Sequence, residues 1–510
     1  MFSKNNLLST INQKLFYRSA EIVRRFRHPD KYVTLRTLYD YLKNQGLSIS
    51  LSVKAQAKLD MIIPQICTFE SWYVPKNSVY LVSTQIHADE AIKKGAGVLI
   101  AEKQFNDYPT ILCTNRVEVY CKMCGYFRDL SPKVSVTAVT GSIGKTTVNT
   151  MVGQVYSTKY ETFYTDSNSN TKTSIGFAVQ HIPSGTEKMV QEIHEGSPGE
   201  TRFVSEMIHP DILVLTAIDN SHMEFFGSHD KIVEEVCSSA DGMHPGGIVI
   251  VNKDDFHRYD LLGSKRVLTI SMNSNEADFF AQNVHVNEKG LFFDLVVNET
   301  GEKGHVQLPN IYAEHNVLCA LYAFAAGVCQ GISVHDIVCA LSLYKTRGVR
   351  QNVLRTNDNI LVYADCFNAV GKSVRSAIDA SESIPVNGKR VAVLGNVEEV
   401  GDLSEDMHKD ILMYVNNSSF DHLLIYGDKL DSALKRIQLR KTLNVESFSS
   451  KKKLNERIRN LVSGGDLVLF KSSHSGRLDR CILDLWPELA DEVNYNSASR
   501  EKWKRSCLFC

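Results

Sequence analysis

"VTAVTGSIGKTTVNTM", residues 137–152, limits what this chain can fold into more than any other stretch. The β-branched apolar run reads as a buried strand, Gly141-Ser142-Ile143-Gly144 as a tight turn, and Lys145-Thr146-Thr147 as the opening of a helix. A strand that passes through glycines directly into a helix begins a β–α unit and points to an α/β fold. The same stretch is a cradle for an anion, because backbone N–H groups and a helix N-terminus present partial positive charge. In such a loop Lys145 bridges the outer phosphates of a nucleotide and the Thr146 hydroxyl ligates Mg²⁺. The full phosphate-loop pattern asks for glycine five residues before Gly144, where Val139 stands, so a plain glycine turn before a helix is the competing reading. The strand before, the helix after and Lys-Thr in register favour a nucleotide.

Around this loop the runs "VSVTAVT", "DILVLTAI" and "GGIVIVN" are short, continuous and apolar, separated by helical stretches, the pattern of a parallel sheet covered on both faces. "AEHNVLCALYAFAAGVCQ" has Ala, Leu and Phe at helical spacing. After the basic link "KTRGVRQ" the alternation restarts with "NILVYAD", "KRVAVLG", "DHLLIYG" and "GDLVLFK", which reads as a second, Rossmann-like α/β unit. The expected division is an extension (1–32), a small mixed unit (33–132), a central nucleotide-binding unit (133–345), a C-terminal Rossmann-like unit (346–490) and a tail (491–510).

A chain of 510 residues is long enough for two to four domains, and a net charge of −1 gives no global attraction to nucleic acid or to a membrane surface. No apolar run approaches the ~20 residues needed to span a bilayer. "MFSKNNLLSTINQKLFYRSAEIVRRFRHPD" lacks the apolar segment and cleavage site of a secretory signal; it reads as a basic helix or loose extension, and a cytoplasmic location is expected. The 12 cysteines are scattered, with Cys319 and Cys339 inside apolar runs. The pairs Cys121/Cys124 and Cys507/Cys510 lie too far apart to share a zinc ion and read as reduced thiols. The terminal "KWKRSCLFC" fits a prenylation box only formally.

Further motifs carry a resemblance. "TGSIGKTT", "NSNT" (168–171), "VQEIHEGSPGE" (190–200), "HPDILVLTAIDNSHMEFFGS", "AEHNVLCAL", "YADCFNAVGKSVRSAIDA", "VLGNVEEVGDLSEDMH" and "LVLFKSSHSGRLDR" follow one another in the order found in the Mur ligases, over roughly residues 66–485. The chain resembles that family, most of all its dipeptide-adding branch. The resemblance implies three domains and an ATP-dependent amide ligase: ATP phosphorylates a carboxylate, and an amine attacks the acyl phosphate. It also implies small-molecule partners, namely a carboxylate and an amino acid or dipeptide, with no nucleic acid, no integral membrane segment and a monomeric state.

By register with the family, Gly141, Ser142, Ile143, Gly144, Lys145, Thr146 and Thr147 hold the phosphates, Asn316 contacts the adenine, and Arg347, Asp365 and Asn368 close over the nucleotide from the C-terminal unit. Thr146, Glu192 and His222 are the implied Mg²⁺ ligands, with Lys145, Glu192 and His222 the implied catalytic set. Asn170, Thr171 and Lys471 are implied to meet substrate.

The sequence also departs from the family. The lysine whose carbamate ligates a second metal falls at Val236, nine residues after Gly227, and Glu235 is the candidate substitute after a one-residue register change. Trp72 stands where an arginine helps to hold a UDP-sugar, and a following Asp-Gly-His segment is missing. Two readings therefore stay beside the first: a ligase for a carboxylate that is not a UDP-sugar, and a nucleotide-binding regulatory protein without catalysis. A phosphate-loop kinase is disfavoured by the motifs after the loop.

Overall fold

The computed structural model of the protein describes residues 33–68, 74–165, 169–219, 223–346, 348–398 and 404–493. The extension, Trp72, His222, Arg347, and Cys507 and Cys510 lie outside these residues. Among the described residues three sheets organise the chain, with five, nine and six strands.

In the N-terminal unit the sheet order is Ile49–Leu51, Thr110–Cys113, Val98–Ala101, Val79–Leu81, Ile66–Cys67; the first pair is antiparallel and the rest parallel. Its helices start where the sequence supplies hydroxyl or amide caps. Thr34 opens Leu35–Asn44, Thr84 opens Gln85–Lys93 and Asn115 opens Arg116–Asp129.

The central sheet places Ser135–Thr140, the strand that feeds the phosphate loop, between Lys188–Glu192 and Ile212–Leu215, all parallel. Because the chain runs outward on both sides of this strand, its carboxyl end is a topological switch point, where a crevice opens in sheets of this kind. Beyond Ile248–Asn252 and Arg266–Ser271 the sheet departs from the all-parallel expectation. Phe279–Asn287, Gly290–Val297 and Lys303–Pro309 form an antiparallel meander. In Phe279–Asn287 and Lys303–Pro309, inward and outward residues alternate as befits strands wet on one face, whereas Gly290–Val297 between them is largely buried.

The C-terminal sheet runs Asn352–Arg355, Leu361–Asp365, Leu467–Lys471, Arg390–Gly395, His422–Tyr426, Asn444–Ser447, parallel except at its first pair. Lys451–Leu461, the helix opened by "KKK", packs only Leu454, Asn455 and Ile458 inward. The expected tail begins with a short helix, Ala490–Val493, whose Val493 is buried.

Packing divides the molecule unevenly. One apolar cluster joins Leu35, Ile66, Val79, Tyr120 and Cys124 of the N-terminal unit to Ile175, Met189, Val204 and Leu213 of the central unit. Fully buried side chains of this kind each contribute roughly 1.5–3 kcal/mol. Gln180 reinforces the seam by imitating a strand: its Oε1 accepts from Ile66 N at 2.8 Å and its Nε2 donates to Ile66 O at 3.3 Å. The C-terminal unit has its own two clusters, one on each face of its sheet, and among the described residues takes only Tyr312, Ala313 and the flank of Val286 from the central unit. The described cysteines are free thiols; Cys319 is buried as its apolar run implied, but Cys339 is exposed beside His335.

Candidate active site

The phosphate loop keeps its shape through two left-handed glycines. Gly141 has φ +124° and Gly144 has φ +89°, and a Cβ on Gly141 would stand 2.8 Å from the Thr216 carbonyl oxygen. Ser142 N and Ile143 N donate to Ala217 O at 2.9 and 3.1 Å, anchoring the turn to the neighbouring strand end. The helix begins at Lys145, and its first N–H groups, without partners inside the helix, face the crevice.

Opposite the loop stands the C-terminal unit. A cleft of about 440 Å³ between them is lined by Ser142 to Thr147, Asn170, Glu192, His194, Glu195, Arg350, Gln351, Asp365, Phe367, Asn368 and Lys471, among others. Most of the residues expected from the sequence therefore converge. Thr146 Oγ1 donates to Glu192 Oε2 at 2.8 Å, and Asn170 Nδ2 donates to Glu192 Oε1 at 2.8 Å. Lys471 Nζ donates to Asp365 Oδ2 and to Asn368 O, both at 2.7 Å. This ammonium is buried, and its bonds orient the "ADCFN" segment.

Asn316 stands at the start of the helix His315–Cys329, whose Cys319 sulfur would lie 3.4 Å from a Cβ on Gly144. Its Nδ2 donates to Ala313 O and Gln351 Oε1, while its Oδ1 is buried without a hydrogen-bond partner, and the residue stands behind the cleft and not among those that line it. Gln351 Nε2 in turn bonds His315 Nε2 at 2.7 Å, and His315 Nδ1 bonds Ser376 Oγ at 2.6 Å, a polar seam between the two units. Burial holds the His315 imidazole below its ordinary pKa, against the opposing pull of Asp365.

Two expectations end elsewhere. Thr171 does not line the cleft: its hydroxyl caps the helix Lys172–Gln180 in a capping box with Ser174. Glu235 is buried, and its carboxylate accepts from Gly199 N at 2.7 Å, Thr201 N at 2.8 Å and Thr201 Oγ1 at 2.9 Å. Gly199 has no side chain with which to cap Glu200–Ile208, so Glu235 supplies the cap from another helix, and this disposes of it as a substitute for the carbamate. Val236, one step round that helix, is fully buried in the core. Glu235→Ala is expected to lower stability by about 2–3 kcal/mol, as for a buried charged cap lost from several donors, with the Mg²⁺ requirement unchanged. Urea unfolding with a parallel Mg²⁺ titration checks both; a changed Mg²⁺ requirement at wild-type stability would reverse the assignment.

Sequence reasoning missed Arg350, Phe367 and Glu195. The Arg350 guanidinium lies 3.9 Å from the centre of the Phe367 ring. Burial lowers its pKa, while Glu192 and Asp365, one from each unit, pull the other way. The basic link offered arginines at 347 and 350, and only the fold shows that Arg350 enters the cleft. Glu195 is the partner of Lys145: Nζ donates to Oε1 at 3.0 Å and Oε2 at 2.8 Å, as well as to Gly141 O.

Comparison with known proteins supplies the family. Residues 139–327 match the Mur ligase middle domain, and residues 349–474 match the Mur ligase glutamate ligase domain. The chain is 31% identical over 365 residues, 71% of its length and 77% of the relative, to the UDP-N-acetylmuramoyl-tripeptide–D-alanyl-D-alanine ligase of Bacillus subtilis (strain 168). It is 25% identical over 401 residues, 78% of its length and 86% of the relative, to that of Escherichia coli (strain K12). Its fold is that of MurF from Acinetobacter baumannii, with a TM-score of 0.79 at 22% identity over 89% of this chain and 99% of that one. MurF ligase from Thermotoga maritima, solved in complex with ADP, superposes with a TM-score of 0.73 at 22% identity over 82% of this chain and 96% of that one. A phosphate loop at the switch point of a parallel sheet, faced by a second α/β unit across a charged cleft, is thus the working centre of an ATP-using, ADP-forming ligase, and the chain belongs to the Mur ligase family.

Proposed function

We propose that the chain joins D-alanyl-D-alanine to the tripeptide carboxylate of UDP-N-acetylmuramoyl-tripeptide, in the cleft between the central and C-terminal units. The observation that carries this reading is the convergence of Lys145, Thr146 and Glu192 from one side with Asp365, Asn368 and Lys471 from the other. Acyl-phosphate chemistry needs the phosphate donor and the two reactants held between positioned charges. The chain's part is positional. Lys145 and the helix N-terminus hold the outer phosphates, Asn316 is assigned to the base by register with the family, and the "ADCFN" segment, tied by Lys471, closes over the nucleotide.

Among the described residues no group of three or more His, Cys, Asp and Glu is arranged to hold a metal. The hydroxyl of Thr146 and the carboxylate of Glu192, steadied by Asn170, are nevertheless the hard oxygen donors that suit Mg²⁺, with water completing its shell. Mg²⁺ bound there neutralises phosphate charge. The assigned role of His222 as a further ligand belongs to this proposal, as do Arg347 at the nucleotide, a monomeric cytoplasmic enzyme, and divisions near residues 132 and 345. Among the described residues no helix is long and apolar enough to cross a membrane.

One observation favours a different acceptor. The strand Val79–Leu81 passes through two residues into Thr84, the cap of Gln85–Lys93, leaving no loop there to wrap a diphosphate. Phosphate release from ATP and Mg²⁺, with the UDP-tripeptide and D-alanyl-D-alanine together or singly and the product weighed by mass spectrometry, decides between the two. Release that needs both substrates and yields the pentapeptide is expected. ATP binding without such release sinks the UDP-sugar and moves the acceptor to another carboxylate.

A further inference from the structure

We propose that Glu195 is a positioning residue that holds the phosphate-loop lysine until a nucleotide displaces it, and that it thereby makes nucleotide binding depend on the divalent ion. The inference rests on the nucleotide reading above and goes beyond it to the control of that site.

An ammonium has three protons. Those of Lys145 are all engaged, two by the Glu195 carboxylate and one by Gly141 O. Gly141 O belongs to the loop itself and stays with it, so a phosphate reaches the lysine only by displacing Glu195. The pair is sheltered: the Lys145 side chain is 11% exposed and that of Glu195 1%. Sheltered charges are poorly screened, so the exchange has a large effect on affinity. His194 Nδ1 stands 4.0 Å from Glu195 Oε2 and is a second basic group beside this carboxylate.

The rest of the cleft makes the exchange unfavourable for a bare nucleotide. Its lining among the described residues brings three cations, Lys145, Arg350 and Lys471, against four carboxylates, Glu192, Glu195, Asp365 and Glu398. Lys471 is bound to Asp365, and Glu398 is bound to Lys429 from outside the lining. Among the described residues, a triphosphate without a divalent ion therefore meets a lining with no surplus of positive charge and with both lysines already paired to carboxylates. A triphosphate that arrives with its ion brings the missing cation.

The experiment is calorimetric titration of ATP into the full chain, in EDTA and in saturating Mg²⁺, for the wild type, Glu195→Gln and Glu195→Asp. Glutamine keeps the shape and removes the charge. It is expected to tighten metal-free ATP binding about tenfold while changing binding with Mg²⁺ by less than about threefold. Aspartate, one methylene short of two-pronged contact, is expected to move metal-free binding the same way by about threefold, which keeps the idea testable if the glutamine variant does not fold. A merely structural role would shift both conditions together. Unchanged or weaker metal-free binding in both variants overturns the proposal. Loss of binding only with Mg²⁺ also overturns it, since the carboxylate then serves the ion itself. A wild type that binds no ATP in either condition refutes the nucleotide reading instead.

Discussion

Lys145→Ala is expected to lower ligation by about 10³-fold, the scale on which one preorganised charge at a phosphoryl-transfer site acts. Unlike most losses of a surface lysine, this one is also expected to destabilise the protein. Glu195 is almost wholly buried against the Lys145 ammonium, so truncation strands a carboxylate away from water. Breaking a sheltered pair from one side costs about 3 kcal/mol or more. Pairing the change with Glu195→Gln removes the stranded charge, so the double variant is expected to recover most of the stability and none of the turnover. Urea unfolding midpoints read the first quantity and phosphate release the second. A single variant as stable as the wild type would show that Glu195 keeps its hydration without the lysine.

Lys471→Ala is expected to have the larger effect on stability, about 3–5 kcal/mol, with turnover lower by about 10²-fold. Lys471 ends one of the two central strands of the C-terminal sheet, and its side chain is 2% exposed. Removing it leaves Asp365 charged and unpaired on that side and the Asn368 carbonyl without its donor. Asp365 Oδ1 also accepts from Gln351 N at 3.3 Å, so the loss reaches the link between the two units. Lys471→Met combined with Asp365→Asn is expected to restore stability without restoring turnover. If Lys471→Ala slowed ligation at unchanged stability, the lysine would be facing substrate, as its register with the family implied, instead of organising the segment that does.

The parts of the site that were legible in the sequence are those whose chemistry is local. A strand, two glycines and Lys-Thr specify a phosphate loop within a few residues, because the turn and the helix end make the anion site by themselves. Asp365, Asn368 and Lys471 were reached through register with the family's motifs, and the fold sets Asp365 and Lys471 at the ends of buried strands, where α/β sheets hold their ligands. Glu195 could not be found in this way. It lies in a stretch rich in carboxylates, and the lysine that distinguishes it is 50 positions earlier. Glu235 was misread for the same reason, since its partners at Gly199 and Thr201 are set by helix packing and not by spacing. The antiparallel meander was not read from the sequence, where only the three apolar runs before it read as strands; its middle strand, Gly290–Val297, is buried nearly end to end and lacks the alternation of a half-wet strand.

The seam at Ile66 and Gln180 bears on how such a chain can exchange its parts in the course of descent. Because the N-terminal and central units share one continuous interior, the N-terminal unit is not an interchangeable cartridge. Grafting another family member's version here would have to carry the matching faces of Arg116–Asp129 and Lys172–Gln180 with it. The C-terminal unit, joined through a narrow polar seam and the residues before Asn352, is the part that recombination could exchange whole. Change within the N-terminal unit is therefore confined to point changes and loop shortening, the kinds of departure this sequence displays.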